Sequence, residues 1–402
     1  MPRLNADHPP ASSSIRALGW ALFLGMSWTW CIGMFLPVLL VRDYGVAGWL
    51  VFAAPNVVGA AAMGWFIRSG QSSREIVSAH STACAAFSIV TVLFHLFFIT
   101  WFVERLIGHQ FLPVVGLVLV PVLLSVRRGK LNFLLAGLAL MVSISAFAVM
   151  LAHAPAREAA AAELSRRDLI FLGPVCLFGF ALCPYLDLTF HRARYSTEGA
   201  AAKIAFGMGF GFFFLSMIVL TLWYAPYLPR WIVAGVRLEK SVFTYALGFH
   251  MLVQALLTIS FHVSELVRHQ RFSDNRVVIP LAVVVMAVCV LGLGINEAER
   301  VRPRVYHGIE YGEVVYRVFM GFYGLVFPAY VWLCMIPSPA QAPASRSGLA
   351  FGIATLLAMP FFWTGFIESR MMWLLPGVFL ILFARLCISS VPGKALRRAQ
   401  HV

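Results

Sequence analysis

Apolar windows of about 20 residues, the length of a helix that crosses a bilayer, recur along nearly the whole chain, separated by short polar breaks. They fall at 15–41, 46–67, 77–103, 110–126, 131–153, 168–190, 201–224, 242–267, 277–295, 312–336, 348–367 and 371–391, and predict twelve membrane spans. The connections leave no room for an extramembrane domain, so the expected architecture is all-α and polytopic. Two spans carry a continuous polar edge on this apolar background. In span eight, His250, Gln254, Thr258, His262 and Glu265 fall within about 120° of helical arc. In span three, His80, Cys84, Ser88, Thr91 and His95 fall within about 80°. A polar side chain that faces lipid at mid-bilayer is unfavourable, so both edges should face protein or a wet cavity. Interhelical hydrogen bonding, at about 0.6 kcal/mol each, accounts for such residues singly. A five-residue stripe suggests a lined path instead.

Spans three and eight are five apart, and a repeat of five helices must be inverted in the membrane. The same offset relates spans one and six. Span one, 25-GMSWTWCIGMFLPVLL-40, places Gly33 before Pro37; span six, 173-GPVCLFGFALCPYLDLTF-190, places Gly179 before Pro184, with Asp187 beyond. Interrupted helices at corresponding places in two halves point to a transport site built on helix breaks. Proline removes an amide donor and frees a carbonyl, and lone carbonyls suit a small cation. The implied organisation is a cytoplasmic leader (1–14), a first five-helix repeat (15–153) and an outer interfacial linker (154–167). A second five-helix repeat (168–336), two additional spans (337–391) and a basic cytoplasmic tail (392–402) follow.

These residues resemble the five-plus-five inverted-repeat fold of the amino acid–polyamine–organocation superfamily, with the sodium:solute symporters as the nearest flavour. The resemblance is carried by the Gly-rich first span followed by 46-VAGWLVFAAPNVVGAAAMGW-65, and by 179-GFALCPYLDLTFHRARYSTEGAAAKIAF-206. It implies ion-coupled transport of a small polar or organic solute, Na⁺ or H⁺ symport, by alternating access. The site would lie mid-membrane between spans one, three, six and eight. The family's sodium site pairs carbonyls of the first core helix with an Ala-x-x-[Ser/Thr]-Ser motif on the eighth. Here Ala255 and Thr258 match that motif while Ile259 replaces the last hydroxyl. The implied ion ligands are Gly25, Trp28, Ala255 and Thr258; the implied substrate contacts are Ser27, Trp30, Ser88, Thr91, Tyr185, Asp187 and Gln254. His250 and His95 would line the cavity or carry a proton. Segment 225-APYLPRWIVAGVRLEK-240 stands where such transporters carry a lid.

Composition narrows the alternatives. The 402 residues are 60% hydrophobic and 12% charged, about half the charge of a soluble protein. The net charge of +14 is scattered through short loops, which suits an acidic leaflet rather than nucleic acid. The larger share of Lys and Arg falls in the loops that are cytoplasmic if both termini are inside. That orientation in a cell inner membrane or plasma membrane is the expectation, with the bilayer and a small solute as partners. No HExxH, GxSxG, P-loop or dinucleotide fingerprint occurs, so no enzymatic activity is expected, and no metal site. Among single residues, Asp187 could meet a substrate, a cation or a proton, or else pair with Arg192 or Arg194. Asn56, beside Pro55, should satisfy freed backbone groups, and Arg317 should snorkel or pair with Glu313. Two other classes stay open. One is a redox protein holding haem b between stacked histidines, His80 with His262 and His95 with His250. The other is a membrane scaffold subunit without a substrate of its own.

Overall fold

The computed structural model describes residues 13–108, 131–155, 164–228, 240–269, 275–301, 305–336 and 344–389. The chain is an all-helical polytopic membrane protein. Among the described residues nine helices are long and apolar enough to cross a bilayer, or ten when one bent pair is counted as a span. That pair is α1 (Ser13–Trp28) and α2 (Cys31–Tyr44), which meet at 56° and together form span one. Span two is α3 (Val46–Phe66). A short α4 (Gly70–Ala79) leads into span three, α5 (Ser81–Ile107). Span four and most of the expected lid, residues 229–239, lie outside the described residues.

Span five is α6 (Leu131–Ala152). Span six is α7 (Leu169–Leu182), a tight turn over Cys183–Leu186, and α8 (Leu188–Ser196). Then come α9 (Gly199–Tyr227), α10 (Val242–Arg268), α11 (Asn275–Val301) and α12 (Tyr311–Met335), which are spans seven to ten. A two-residue hairpin, β1 (Val305–Tyr306) with β2 (Ile309–Glu310), joins the last two. The helices α13 (Arg346–Ile367) and α14 (Leu374–Ser389) pair with each other where spans eleven and twelve were expected; α14 is apolar but shorter than the other spans.

Burial sorts these helices into core and periphery. The apolar window of α10 is 72% buried and that of α11 only 6%, so α10 runs through the middle of the protein while α11 shows its side chains to lipid. Ser241 and Thr244 cap α10 reciprocally through side chain and backbone, which satisfies two amides that the first turn would leave free. Span one packs on span seven, and span six packs on span two. Gly59 of α3 lies directly against the carbonyl of Phe180 in α7, and Gly179 sets its Cα against the backbone of Tyr323. A Cβ at Gly179 would stand 2.7 Å from the Tyr323 oxygen, so the small residue lets α7 and α12 touch backbone to backbone.

Candidate functional site

The two breaks meet in the core. In span one the helix is interrupted at Trp28–Trp30, upstream of Gly33 and Pro37, and Pro37 is accommodated inside α2. The unwound backbone is held by other spans. Cys31 donates its amide to His95 Nε2 at 3.1 Å, and Tyr316 donates its hydroxyl to the Cys31 carbonyl at 3.1 Å. His95 Nδ1 meets the Thr91 carbonyl at 2.7 Å, so this nitrogen carries the proton and Nε2 accepts. Within the segment, Thr29 bonds back to the Gly25 carbonyl at 2.8 Å, and the Trp28 carbonyl takes the Trp30 amide at 2.8 Å. The break in span six is where Pro184 stands. Asp187 ends the turn there and caps α8, accepting the Thr189 amide and hydroxyl on Oδ1, both at 2.7 Å. Thr189 Oγ1 also lies 3.4 Å from Ser27 Oγ, which brings the two broken spans into direct contact.

Trp30 is the hub between the breaks. Its ring lies 4.3 Å from Trp28, 5.5 Å each from Phe87, His262 and Tyr323, and 6.0 Å from His95. Its indole N–H donates to the Ser27 carbonyl. Trp28 reaches instead to Asn56 Oδ1 at 2.6 Å, so Asn56 serves a partner in span one rather than the backbone beside Pro55. A cavity of about 10 Å³, lined by Trp28, Trp30, Asn56, Phe180, Cys183 and Tyr323 among others, lies between the breaks. That is the room of about one water molecule.

The expected site residues divide around this cavity. Trp30 and Trp28 line it. Ser27 joins the breaks, and Thr91 bonds Tyr323 at 2.9 Å behind it. Ser88 takes His262 Nδ1 at 3.1 Å. Asp187 presents its second oxygen to His262 Nε2 at 4.0 Å. Tyr185 is half-buried, and its carbonyl takes His191 at 2.9 Å. Gln254 and His250 lie elsewhere on α10: both bond Ser143 of α6, at 2.9 Å each. Span five is thus the partner for the upper half of the stripe, and Ser143 escaped notice in the sequence. Its signal was a run of small or polar positions, Asn132, Ala136, Ala139, Ser143 and Ala146, all buried on one face of α6. Thr258 bonds the Gln254 carbonyl of its own helix at 3.1 Å. Gly25 sets its Cα against Phe213 and Gly209 of α9, and Ala255 and Ile259 are buried.

The histidine couples expected for haem do not form in the described contacts. His80 meets the Tyr330 hydroxyl at 3.1 Å, His250 meets Ser143, and both nitrogens of His95 are engaged. His95 and His262 instead flank Trp30. With both nitrogens engaged, His95 has no lone pair left for iron.

Charged clusters stand on either side of the breaks. In the last turn of α2, Arg42 is held by Glu313 through two bonds of 2.8 and 2.9 Å, and Glu313 also takes Arg317 through bonds of 2.9 and 2.5 Å. Asp43 takes Arg42 at 2.6 Å and Arg317 at 3.4 Å. On the other side Arg192 of α8 pairs with Glu265 of α10 at 2.9 Å and lies over Trp20 and Phe23 of α1. Arg194 bonds the carbonyls of Ile67 and Thr197. Neither arginine pairs with Asp187 among the described contacts.

No protein-family model matches the chain, and no curated protein matches it. Among solved structures it is similar to a Na⁺-coupled sialic acid symporter captured in a substrate-bound, outward-open state. The likeness covers 94% of this chain and 92% of the symporter, with a TM-score of 0.50 at 12% identity. The fold is shared with a known symporter. At that identity the likeness concerns the path of the backbone, and the side chains described above have to carry any statement about chemistry.

Proposed function

We propose that the protein is a secondary transporter that moves a small polar or organic solute by alternating access, coupled to a gradient of Na⁺ or H⁺. The observation that carries this reading is the meeting of two helix breaks around a small aromatic cavity, closed on each side by a buried charge cluster. Irregular backbone at membrane depth is tolerated where it lines such a cavity. The likeness in fold to a Na⁺-coupled symporter supports the same reading. Trp28, Trp30, Asn56, Cys183 and Tyr323 would contact the solute first, with Ser27, Ser88, Thr91, Tyr185 and Asp187 around them. The charge clusters are the natural gates, since rocking one set of helices against the other breaks one cluster at a time.

A sodium site on Gly25, Trp28, Ala255 and Thr258 is the part of the reading to test first. Thermal unfolding of the purified protein in sodium is compared with potassium and choline. A site with a Kd of about 1 mM gains about 2.7 kcal/mol in about 100 mM sodium. Sodium-specific stabilisation that disappears in Thr258→Ala supports the site. Identical curves in the three salts would remove sodium as the coupling ion and leave the proton.

A further inference from the structure

We propose that Asp187 and His262 form a one-proton binding site at the break of span six. Both side chains are fully buried. Capping of α8 occupies only Oδ1 of Asp187. Among the described residues its Oδ2 and the Nε2 of His262 have no hydrogen-bond partner, and they face each other at 4.0 Å. That separation exceeds a direct hydrogen bond by about 1 Å, which a small side-chain rotation closes. Helix capping explains one oxygen, and the Ser88 contact explains one nitrogen. Neither explains why the remaining acid oxygen and base nitrogen are aimed at each other.

The chemistry of the two atoms selects the ligand. A hard cation such as sodium or calcium seeks several oxygens, whereas this pair offers one oxygen and one imidazole nitrogen. Among the described residues no third His, Cys, Asp or Glu joins them in a metal-holding group. A proton needs only these two atoms. It arrives on Nε2 or Oδ2, makes one N–H or O–H bond, and leaves by breaking that same bond. With it the pair is neutral overall, as acid with imidazole or carboxylate with imidazolium; without it the pair carries one negative charge. The surrounding groups are His95 from α5, Tyr323 from α12, Cys183 from the turn, and Glu265, which is committed to Arg192 and Arg268. Ser88, Thr189, Ser27 and the Trp30 and Phe87 rings complete the wall.

A proton held here ties the start of α8 to α10, while Thr189 ties α8 to α1. Its release loosens the first of these links. The coupling of that event to solute movement rests on the transport reading; the binding of the proton does not.

The test is infrared difference spectroscopy of the purified full-length protein, titrated across the pH range in which it stays folded. The Asp187→Asn variant keeps a good helix cap and cannot ionise, and His262→Gln keeps a side chain able to reach Ser88. The wild type should show a buried carboxyl that changes protonation in one step, absent in Asp187→Asn and moved by at least one pH unit, a tenfold change in proton affinity, in His262→Gln. If Asp187→Asn fails to fold, the shift in His262→Gln decides alone. A wild-type spectrum without the step, or a step indifferent to both substitutions, would overturn the proposal. Labelling of Cys183, which lines the cavity, by a membrane-impermeant maleimide is measured separately from each face of vesicles holding the same protein. A titrating pair with Cys183 reached from neither face removes the transport reading and leaves the proton site, and labelling from both faces without titration does the reverse.

Discussion

Replacing Glu313 by Gln probes the charge cluster at the end of α2. Glu313 accepts four charge-assisted bonds, two from Arg42 and two from Arg317, and its side chain is 1% exposed. With Asp43 the described cluster holds two positive and two negative groups. Among the described residues the substitution leaves Asp43 as the one carboxylate facing both guanidinium groups, while Arg317 keeps its bond to the Phe366 carbonyl. Removing one partner of a buried pair costs about 3–5 kcal/mol, because the other charge stays buried and uncompensated. Gln retains an oxygen that can accept one or two of the four bonds, so the lower end, about 3 kcal/mol, is expected. That is about a hundredfold in any equilibrium that keeps the cluster closed. The assay is reversible denaturation in mixed micelles, repeated for Arg42→Gln and for the double variant. The double variant removes one charge of each sign and should be more stable than the two single losses added together, by about 0.5–3 kcal/mol. A loss below about 0.5 kcal/mol in Glu313→Gln, or strict additivity in the double variant, would refute the reasoning.

Three further outcomes follow from the geometry. Ser143→Ala removes the shared partner of His250 and Gln254 and should cost about 1–3 kcal/mol as buried polar groups lose their bond, measured by thermal unfolding. Gly179→Ala places a methyl group 2.7 Å from the Tyr323 oxygen; it should destabilise by about 1–3 kcal/mol as overpacking, while Gly348→Ala, with open space around it, should be neutral in the same assay. The carboxyl of Glu310, in the hairpin before α12, is pushed up to about 7 by burial, against the opposing pull of Arg105. The folded state therefore holds this proton more tightly than the unfolded one, so its contribution is fully present below the unfolded value near 4.5 and is lost as pH rises through about 7. Glu310→Gln should flatten that fall in unfolding midpoint between those two pH values.

The ten spans found among the described residues were readable in the sequence because about 20 consecutive apolar residues have few alternatives to crossing a bilayer. The polar edge of α10 was readable too, and it meets protein on both halves: the first is fastened to α6, and the second faces the breaks. The break in span one was misplaced toward Gly33 and Pro37 because Trp28–Thr29–Trp30 contains neither helix breaker. Its unwinding is held by Asn56, His95 and Tyr316 from three other spans, and such tertiary support leaves no local trace. The same holds for Arg42 and Glu313, 271 positions apart in the chain. Arg317 with Glu313 was expected, being one helical turn apart; the larger cluster around them was not. Asp187 stood out as a carboxylate in an apolar span, but only the fold shows that it faces His262 rather than Arg192 or Arg194.

Alternating access is the central claim, and Cys183 is placed to test it. Its side chain is 1% exposed and lines the cavity between the breaks. The measurement is the rate at which a membrane-impermeant maleimide labels a variant that keeps Cys183 and lacks the other six cysteines, in right-side-out and inverted vesicles. Glu313→Gln weakens one charge cluster and Glu265→Gln the other. The account predicts that Glu313→Gln speeds labelling from the outer face only, and Glu265→Gln from the inner face only. Labelling that both substitutions speed from the same face, or that neither changes, would contradict it.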